Sequence, residues 1–366
     1  MREPAQRLRP EGVTVAGSSP EELRALRGAV AELMTKRSPD DDVWSELAAM
    51  GLLGLLVPEQ YGGAGAGLVE VGAVAEELGR VLFSGPYLST AVLAVNLLMA
   101  VDDPAQREAV LQAIAAGRTR VAVAFAEGDS TLPPAIPATT ARGGLVSGEK
   151  RFVLDADTAD LLYVLADSAD GPAIFAVDPA GPGVTVEPLT TVDPSRRLCL
   201  VRLADAPATA VGSAGTGVVA LTAALDRSAV ALLGEQAGAA RFAMEMARDY
   251  AKTRFQFGRA IGSFQAVKHM CADMLLEAES TVTAARHVAA AGADGSADWV
   301  ADLALAQAYC SDAFVSVSAT NIQVHGGIGF TWEHPAHRYL RRARSDAHLF
   351  GSPSWHRERY LQEIGA

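Results

Sequence analysis

Cysteine is scarce: Cys199, Cys271 and Cys310 are all that 366 residues contain. Few and far apart, they exclude a disulfide scaffold and read as reduced thiols on small buried residues. Basic clusters are also missing, and a net charge of −12 leaves no electrostatic footprint for nucleic acid. The apolar runs carry helical periodicity and break short of a membrane span. The opening MREPAQRLRPEG has charge but no apolar core behind it, so neither a signal peptide nor a membrane partner is expected, and the cytoplasm is the expected compartment. Metal-ligand spacing is absent too. In Glu333-His334-Pro335-Ala336-His337 the proline breaks the helix that would align two histidines, so both read as structural.

What is present is burial. Hydrophobic residues make up 49% of the chain against 20% charged, enough for two or three well-packed domains. Residues 1 to about 18 read as frayed. Ser19 is a candidate N-cap for a helix opening at Pro20-Glu21-Glu22, and a second helix from about Asp42 stops before Gly51. LLGLLVPEQYGGAGAG reads as a long loop; its glycines have the wrong spacing for a dinucleotide fingerprint. Further helices are expected over 68–82, 90–100 and 104–116. From Arg118 the pattern changes to short β-branched runs, VAVAFAE, RFVLDA, LLYVLAD, AIFAVD and VTVEPL, punctuated by Gly, Pro and Asp. From Gly215 onward four long helical segments follow, at 219–255, 263–291, 297–324 and about 337–364. The expected fold is α+β: an N-terminal helical domain (1–117), a central β-barrel or sandwich domain (118–212) and a C-terminal four-helix bundle (213–366).

Residues 250–274, YAKTRFQFGRAIGSFQAVKHMCADM, read as helix, break, helix. Gly258 and Gly262 loosen the break, and Ser263 is a plausible N-cap for the second helix. A guanidinium beside a flexible turn suits a phosphate group, although one Arg254 alone would be an ordinary charge at a helix C-terminus. The stretch resembles, nearly position for position, the flavin-side signature of the acyl-CoA dehydrogenase family. Gln323-Val324-His325-Gly326-Gly327-Ile328-Gly329-Phe330 resembles a second motif of that family, and LAAMGLLGLLVPEQYGG with EELGR resembles its opening domain. The order helical domain, β domain, helical bundle is also the family's.

The resemblance implies FAD as cofactor, with Arg254, Phe257, Gln323, Gly326 and Gly327 contacting it and Phe264 and Gln265 close by. In homotetrameric members these two segments reach the flavin of a neighbouring subunit. It further implies an acyl-CoA thioester as substrate and electron-transfer flavoprotein or a similar electron acceptor as partner. The ring-side motifs depart from the family. Phe125-Ala126-Glu127-Gly128-Asp129-Ser130 is shortened and lacks the threonine, and Lys150-Arg151-Phe152-Val153-Leu154 has Phe for Trp and no threonine hydroxyl.

Family members take the α-proton with a buried carboxylate while hydride passes to the flavin. One base position lies about eight residues after an Asp-Ala pair. Counted from Asp346-Ala347 it falls on Ser354 or its immediate neighbours, with no carboxylate before Glu358. The other, counted back from Arg254, falls on Ser228. Asp226 is two residues away, about 200° around the helix, and reads as a surface or capping residue. His356 beside Trp355 reads as packed. The catalytic base is therefore unassigned, with Glu127 and Glu358 as reserve candidates. The expected function is one subunit of a hetero-oligomeric acyl-CoA dehydrogenase whose second, related chain supplies the base. The alternatives are a self-sufficient dehydrogenase with an unaligned base, and a non-catalytic scaffold.

Overall fold

The computed structural model describes residues 18–37 and 41–366; the expectation of a frayed start falls on residues outside this range, Ser18 excepted. In α1 (Pro20–Thr35), Ser19 Oγ accepts from the Glu22 N–H while the Glu22 carboxylate accepts from the Ser19 N–H, a reciprocal capping box. α2 (Trp44–Ala49) runs out before Gly51, whose φ of +73° favours glycine. The expected loop that follows is more ordered than its glycines suggest. It forms two 3-10 turns, Leu52–Gly54 and Glu59–Tyr61, and buries Leu52, Leu53 and Val57. α3 (Leu68–Arg80), a π-helical segment Tyr87–Ala94 leading into α4 (Val95–Ala100), α5 (Pro104–Gln106), a π turn Arg107–Leu111 and α6 (Gln112–Ala115) complete the first helical layer.

The β-branched runs form β1 (Val121–Ala124), β2 (Thr140–Arg142), β3 (Leu145–Leu154), β4 (Leu161–Ser168), β5 (Gly171–Val177), β6 (Val184–Pro188) and β7 (Leu198–Val211). Pairings run β4–β5–β7–β3–β2 and back to β4, so the sheet closes into a small barrel; β1 adds parallel to β4 and β6 antiparallel to β7. Closure removes free edges from the ring, and Val146, Val153, Leu162, Val164, Phe175 and Val201 fill its interior.

α7 (Gly217–Thr253), α8 (Gln265–Ala293), α9 (Trp299–His325), α10 (Ala336–Asp346) and α11 (Pro353–Ile364) build the last domain. α7 is its axis, packing on α3, α8 and α9. The crossing with α3 is close enough to demand glycine on both sides: a Cβ on Gly238 would meet the Glu76 carbonyl oxygen at 1.8 Å, and one on Gly79 the Glu235 oxygen at 2.1 Å. A mid-helix glycine costs about 1 kcal/mol against alanine; here the backbone contact offsets it. α7 is long and apolar enough to cross a membrane by composition, but 67% of that window is buried inside the fold, as befits a core helix.

Two local expectations are corrected. Ser263 is not the N-cap of α8; it sits in a 3-10 turn, Ile261–Ser263, its Oγ donating to the Ala260 carbonyl (2.7 Å), and α8 opens one residue later behind Phe264. The segment 337–364 is two helices. Phe350 and Gly351 both take positive φ (+62° and +117°), Pro353 starts α11, and Ser352 Oγ accepts from the Trp355 N–H.

Candidate active site

The break after α7 is an ordered ribbon rather than a loosened turn. Phe255–Gln256 pairs with Arg259–Ala260, and the two residues between them, Phe257 and Gly258, have φ of +54° and +77°. Two positive φ values match a type I′ hairpin turn, where Asn-Gly is the usual choice. A phenylalanine there is strained, and its ring is 91% exposed. Beside it, the Arg259 guanidinium lies 4.0 Å over the Phe264 ring, and Phe264 meets Phe257 edge-on at 6.1 Å. Gln265 is the exposed first residue of α8.

Tyr250, one turn before Arg254, stacks on His325 at 4.3 Å, and His334 lies tilted against His325 at 4.2 Å. This ring column pins the end of α7 to the end of α9, which places the 254–265 and 323–327 segments at the same end of the bundle. Arg254 and Gln323 are exposed there, as are Gly326 and Gly327. A Cβ on either glycine would meet nothing within 4 Å, but Gly326 has φ +63° and ψ −141°, a backbone conformation that itself calls for glycine, so of the two Gly327 alone is bare without a local reason. Arg254 has no ion pair among the described residues, and Phe255, Phe330 and Trp332 add exposed rings (63%, 77% and 68%). An uncompensated guanidinium, an open glycine and exposed rings suit an anionic ligand with aromatic ends, and FAD is of that kind.

The candidate reaction cavity lies elsewhere, between the barrel and the last helices. One part, about 810 Å³, is walled by Asp129–Leu132, Phe152, Thr191–Asp193 and the α10–α11 turn. An adjoining part of about 260 Å³ shares Leu132 and Trp355 with it and is lined further by Leu225, Asp226, Gln307, Phe350 and Arg359. Ser354, reached by the count from Asp346-Ala347, is exposed on the first turn of α11 and is not among the residues that line either part of the cavity. In the α10–α11 turn His348, Leu349 and Ser352 line the larger part of the cavity and Phe350, apolar and 3% exposed, the smaller. Ser228 faces away from the cavity: it is fully buried, accepts from Asn96 Nδ2 (3.1 Å) and donates to the Ala224 carbonyl (2.6 Å). Asp226 is neither a free surface residue nor a cap. It lines the cavity, with each carboxylate oxygen accepting from Arg359 at 2.7 Å.

The reserve acids are no better placed. Glu127 accepts from the Ala138 and Thr139 N–H groups and from the Lys150 ammonium at 2.6 Å. These bonds outweigh its partial burial and hold its carboxyl below the usual range. Lys150 is fully buried, and desolvation, opposed by Glu127, lowers it to about 8. The pair knots the 125–130 loop onto β3. Glu358 points to solvent. His356 is 2% exposed, and burial with the neighbouring Arg359 lowers it to about 4. Among the described residues no three His, Cys, Asp or Glu side chains cluster as metal ligands. Phe350, Arg359 and Asn96 were invisible to motif reading, since each matters through contacts made far along the chain; only the Gly351-Ser352-Pro353 breaker hinted at the turn.

Helical domain, closed barrel and helical bundle around an inter-domain cavity define the architecture of the FAD-dependent acyl-thioester dehydrogenases. Comparison agrees at both ends of the chain. Residues 21–118 match the acyl-CoA dehydrogenase N-terminal domain and residues 215–364 the acyl-CoA dehydrogenase C-terminal domain. The chain is 38% identical over 318 residues to acyl-CoA dehydrogenase FadE34 of Mycobacterium tuberculosis, covering 86% of this chain but only 41% of that protein's length. It is 33% identical to acyl-CoA dehydrogenase IpdE2 of the same organism, covering 91% and 94%. Among solved structures it resembles the Tcur3481-Tcur3483 steroid ACAD (30% identity, TM-score 0.83, 94% and 98% covered) and the ChsE4-ChsE5 complex from M. tuberculosis (27%, 0.84, 95% and 98%). The chain belongs to the acyl-CoA dehydrogenase family, oxidoreductases whose cofactor is FAD.

Proposed function

We propose that this chain is the base-less subunit of a hetero-oligomeric acyl-CoA dehydrogenase in the cytoplasm, acting on an acyl-CoA thioester and passing electrons to electron-transfer flavoprotein or a similar acceptor. The observation that carries this reading is what lines its own cavity. Phe350 occupies the turn where a carboxylate would be needed, and Ser228 is sealed in the core. Of the acids that line the cavity, Asp226 is bound on both oxygens by Arg359, Asp193 is paired with Arg342, and Asp129 is fully exposed to solvent. The opposite end of the bundle, by contrast, is open and built for a ligand held by another chain. Arg254, Phe257, Gln323, Gly326 and Gly327, with Phe264 and Gln265 behind them, bind the pyrophosphate and adenosine portion of FAD carried by a second acyl-CoA dehydrogenase-like subunit. When bound, FAD supplies the hydride acceptor, and the partner chain supplies the base.

Similarity to two-named structures, the Tcur3481-Tcur3483 steroid ACAD and the ChsE4-ChsE5 complex, supports both the paired assembly and a steroid-derived acyl group. The length of FadE34, of which this chain matches 41%, leaves room for a second unit of similar size. The test is Arg254→Ala in the assembled complex. A charge-assisted bond to a phosphate is worth roughly 1.5–3 kcal/mol, so the variant should hold FAD about tenfold or more less tightly. Unchanged FAD affinity would remove the assignment.

A further inference from the structure

Five charged side chains meet where the three domains touch, and their charges do not balance. Asp193 and Arg196 come from the connection between β6 and β7, Glu235 from the middle of α7, and Arg342 and Asp346 from α10; none is more than 7% exposed. Arg342 Nε donates to Asp193 Oδ2 (2.9 Å), and its Nη2 reaches Ser195 Oγ (2.8 Å) and the Phe83 carbonyl (3.2 Å), so one guanidinium ties the barrel to both helical domains. Arg196 Nη2 donates to Glu235 Oε2 (2.5 Å) and to Asp346 Oδ1 (2.8 Å), so two carboxylates share one nitrogen. Asp346 Oδ2 is buried with no hydrogen-bond partner.

Three carboxylates face two guanidiniums. Neighbouring elements do not supply the missing positive charge. Arg197 is paired with Asp157, Arg344 on α10 is exposed, and Arg341 donates to the Val192 carbonyl. The Tyr87 hydroxyl, near Glu235, is buried and unpartnered. Asp155, on the barrel side of Arg196, adds a further acid and is tied to Ser89 Oγ (2.5 Å). A net buried charge is costly unless it is neutralised, and a buried carboxylate with an unpartnered oxygen relieves it by keeping its proton.

We propose that this junction holds one proton, on Asp346, and that its uptake tightens the docking of the barrel on the helical domains. Burial, opposed by Arg196 and Arg342, pushes the Asp346 carboxyl up to about 6. An unfolded aspartate ionises near 3.9. Between these values the folded chain keeps a proton that the unfolded chain has released. The stabilisation is complete below the lower value and is lost as pH rises through the upper one. The same connection lines the inter-domain cavity through Thr191, Val192 and Asp193, so a looser junction loosens a cavity wall.

The experiment compares unfolding midpoints of the full chain with those of Asp346→Asn and Glu235→Gln, from about pH 4 to about pH 8. Taking differences from wild type cancels every other titrating group. Each variant should match wild type at the acid end and melt higher at the alkaline end, the gap opening near pH 6. Backbone hydrogen exchange of residues 191–198, corrected for intrinsic rates, should slow in acid in wild type and not in the variants. A gap that does not change with pH, or variants that are less stable at neutral pH, would show that Asp346 is an ordinary ionised partner of Arg196 and overturn the proposal.

Discussion

Replacing Asp226 by Asn separates a structural acid from a catalytic one. The carboxylate and the Arg359 guanidinium make two 2.7 Å bonds, and their side chains are 14% and 15% exposed. Hydrogen bonds to charged groups contribute about 1.5–3 kcal/mol when sequestered, exposed pairs less than about 1 kcal/mol, and this pair lies between. Asn keeps one acceptor oxygen and loses the charge, so the expected cost is about 1–2 kcal/mol. In urea the unfolding midpoint should fall by that amount at unchanged slope. Turnover by the assembled complex should stay within a few-fold of wild type, because a carboxylate anchored on both oxygens is not free to approach a substrate carbon. Loss of a true general base costs about 10²–10⁴ in rate. A fall of that size, with folding and FAD content intact, would make Asp226 the base and refute the reasoning.

Lys150→Met should destabilise the chain by about 2–3 kcal/mol in the same assay, somewhat less than the usual loss on breaking a buried pair, since Glu127 keeps two backbone donors. Glu127→Gln should leave complex turnover within a few-fold; a loss approaching a hundredfold would mark Glu127 as reactive. His356 works against acid. Its pKa falls from 6.5 to about 4 on folding, so its contribution is present above the higher value and lost as pH drops through the lower one. His356→Phe should therefore flatten the acid limb of the stability profile, and an unchanged limb would show that another group controls it.

Much of the architecture was legible because breakers and periodicity coincide. Pro20 after Ser19, Gly51 after a short helix, the β-branched centre and the first three of the long apolar-periodic runs each name an element locally; the fourth, 337–364, is two helices. The segments proposed to meet the flavin could be singled out for a different reason: Tyr250 to Met274 and Gln323 to Phe330 are each contiguous in sequence. What remained hidden depends on contacts between distant residues. Helix geometry put Asp226 and Ser228 on opposite faces, but it could not say which face meets the cavity; α4, through Asn96, claims Ser228. The count that reached Ser354 assumed a fixed distance from Asp346-Ala347, and turn length is not set by periodicity. The junction of Asp193, Arg196, Glu235, Arg342 and Asp346 draws on residues about 150 positions apart, and each alone resembles an ordinary surface charge.

The central claim, that this chain contributes a flavin-binding face but no base, is tested most directly by purifying it alone and together with its second subunit, then recording absorbance and acyl-CoA-dependent reduction of an electron acceptor. The chain alone should show no appreciable turnover, and the mixed complex should be yellow and active. A yellow, active homo-oligomer of this chain would contradict the account.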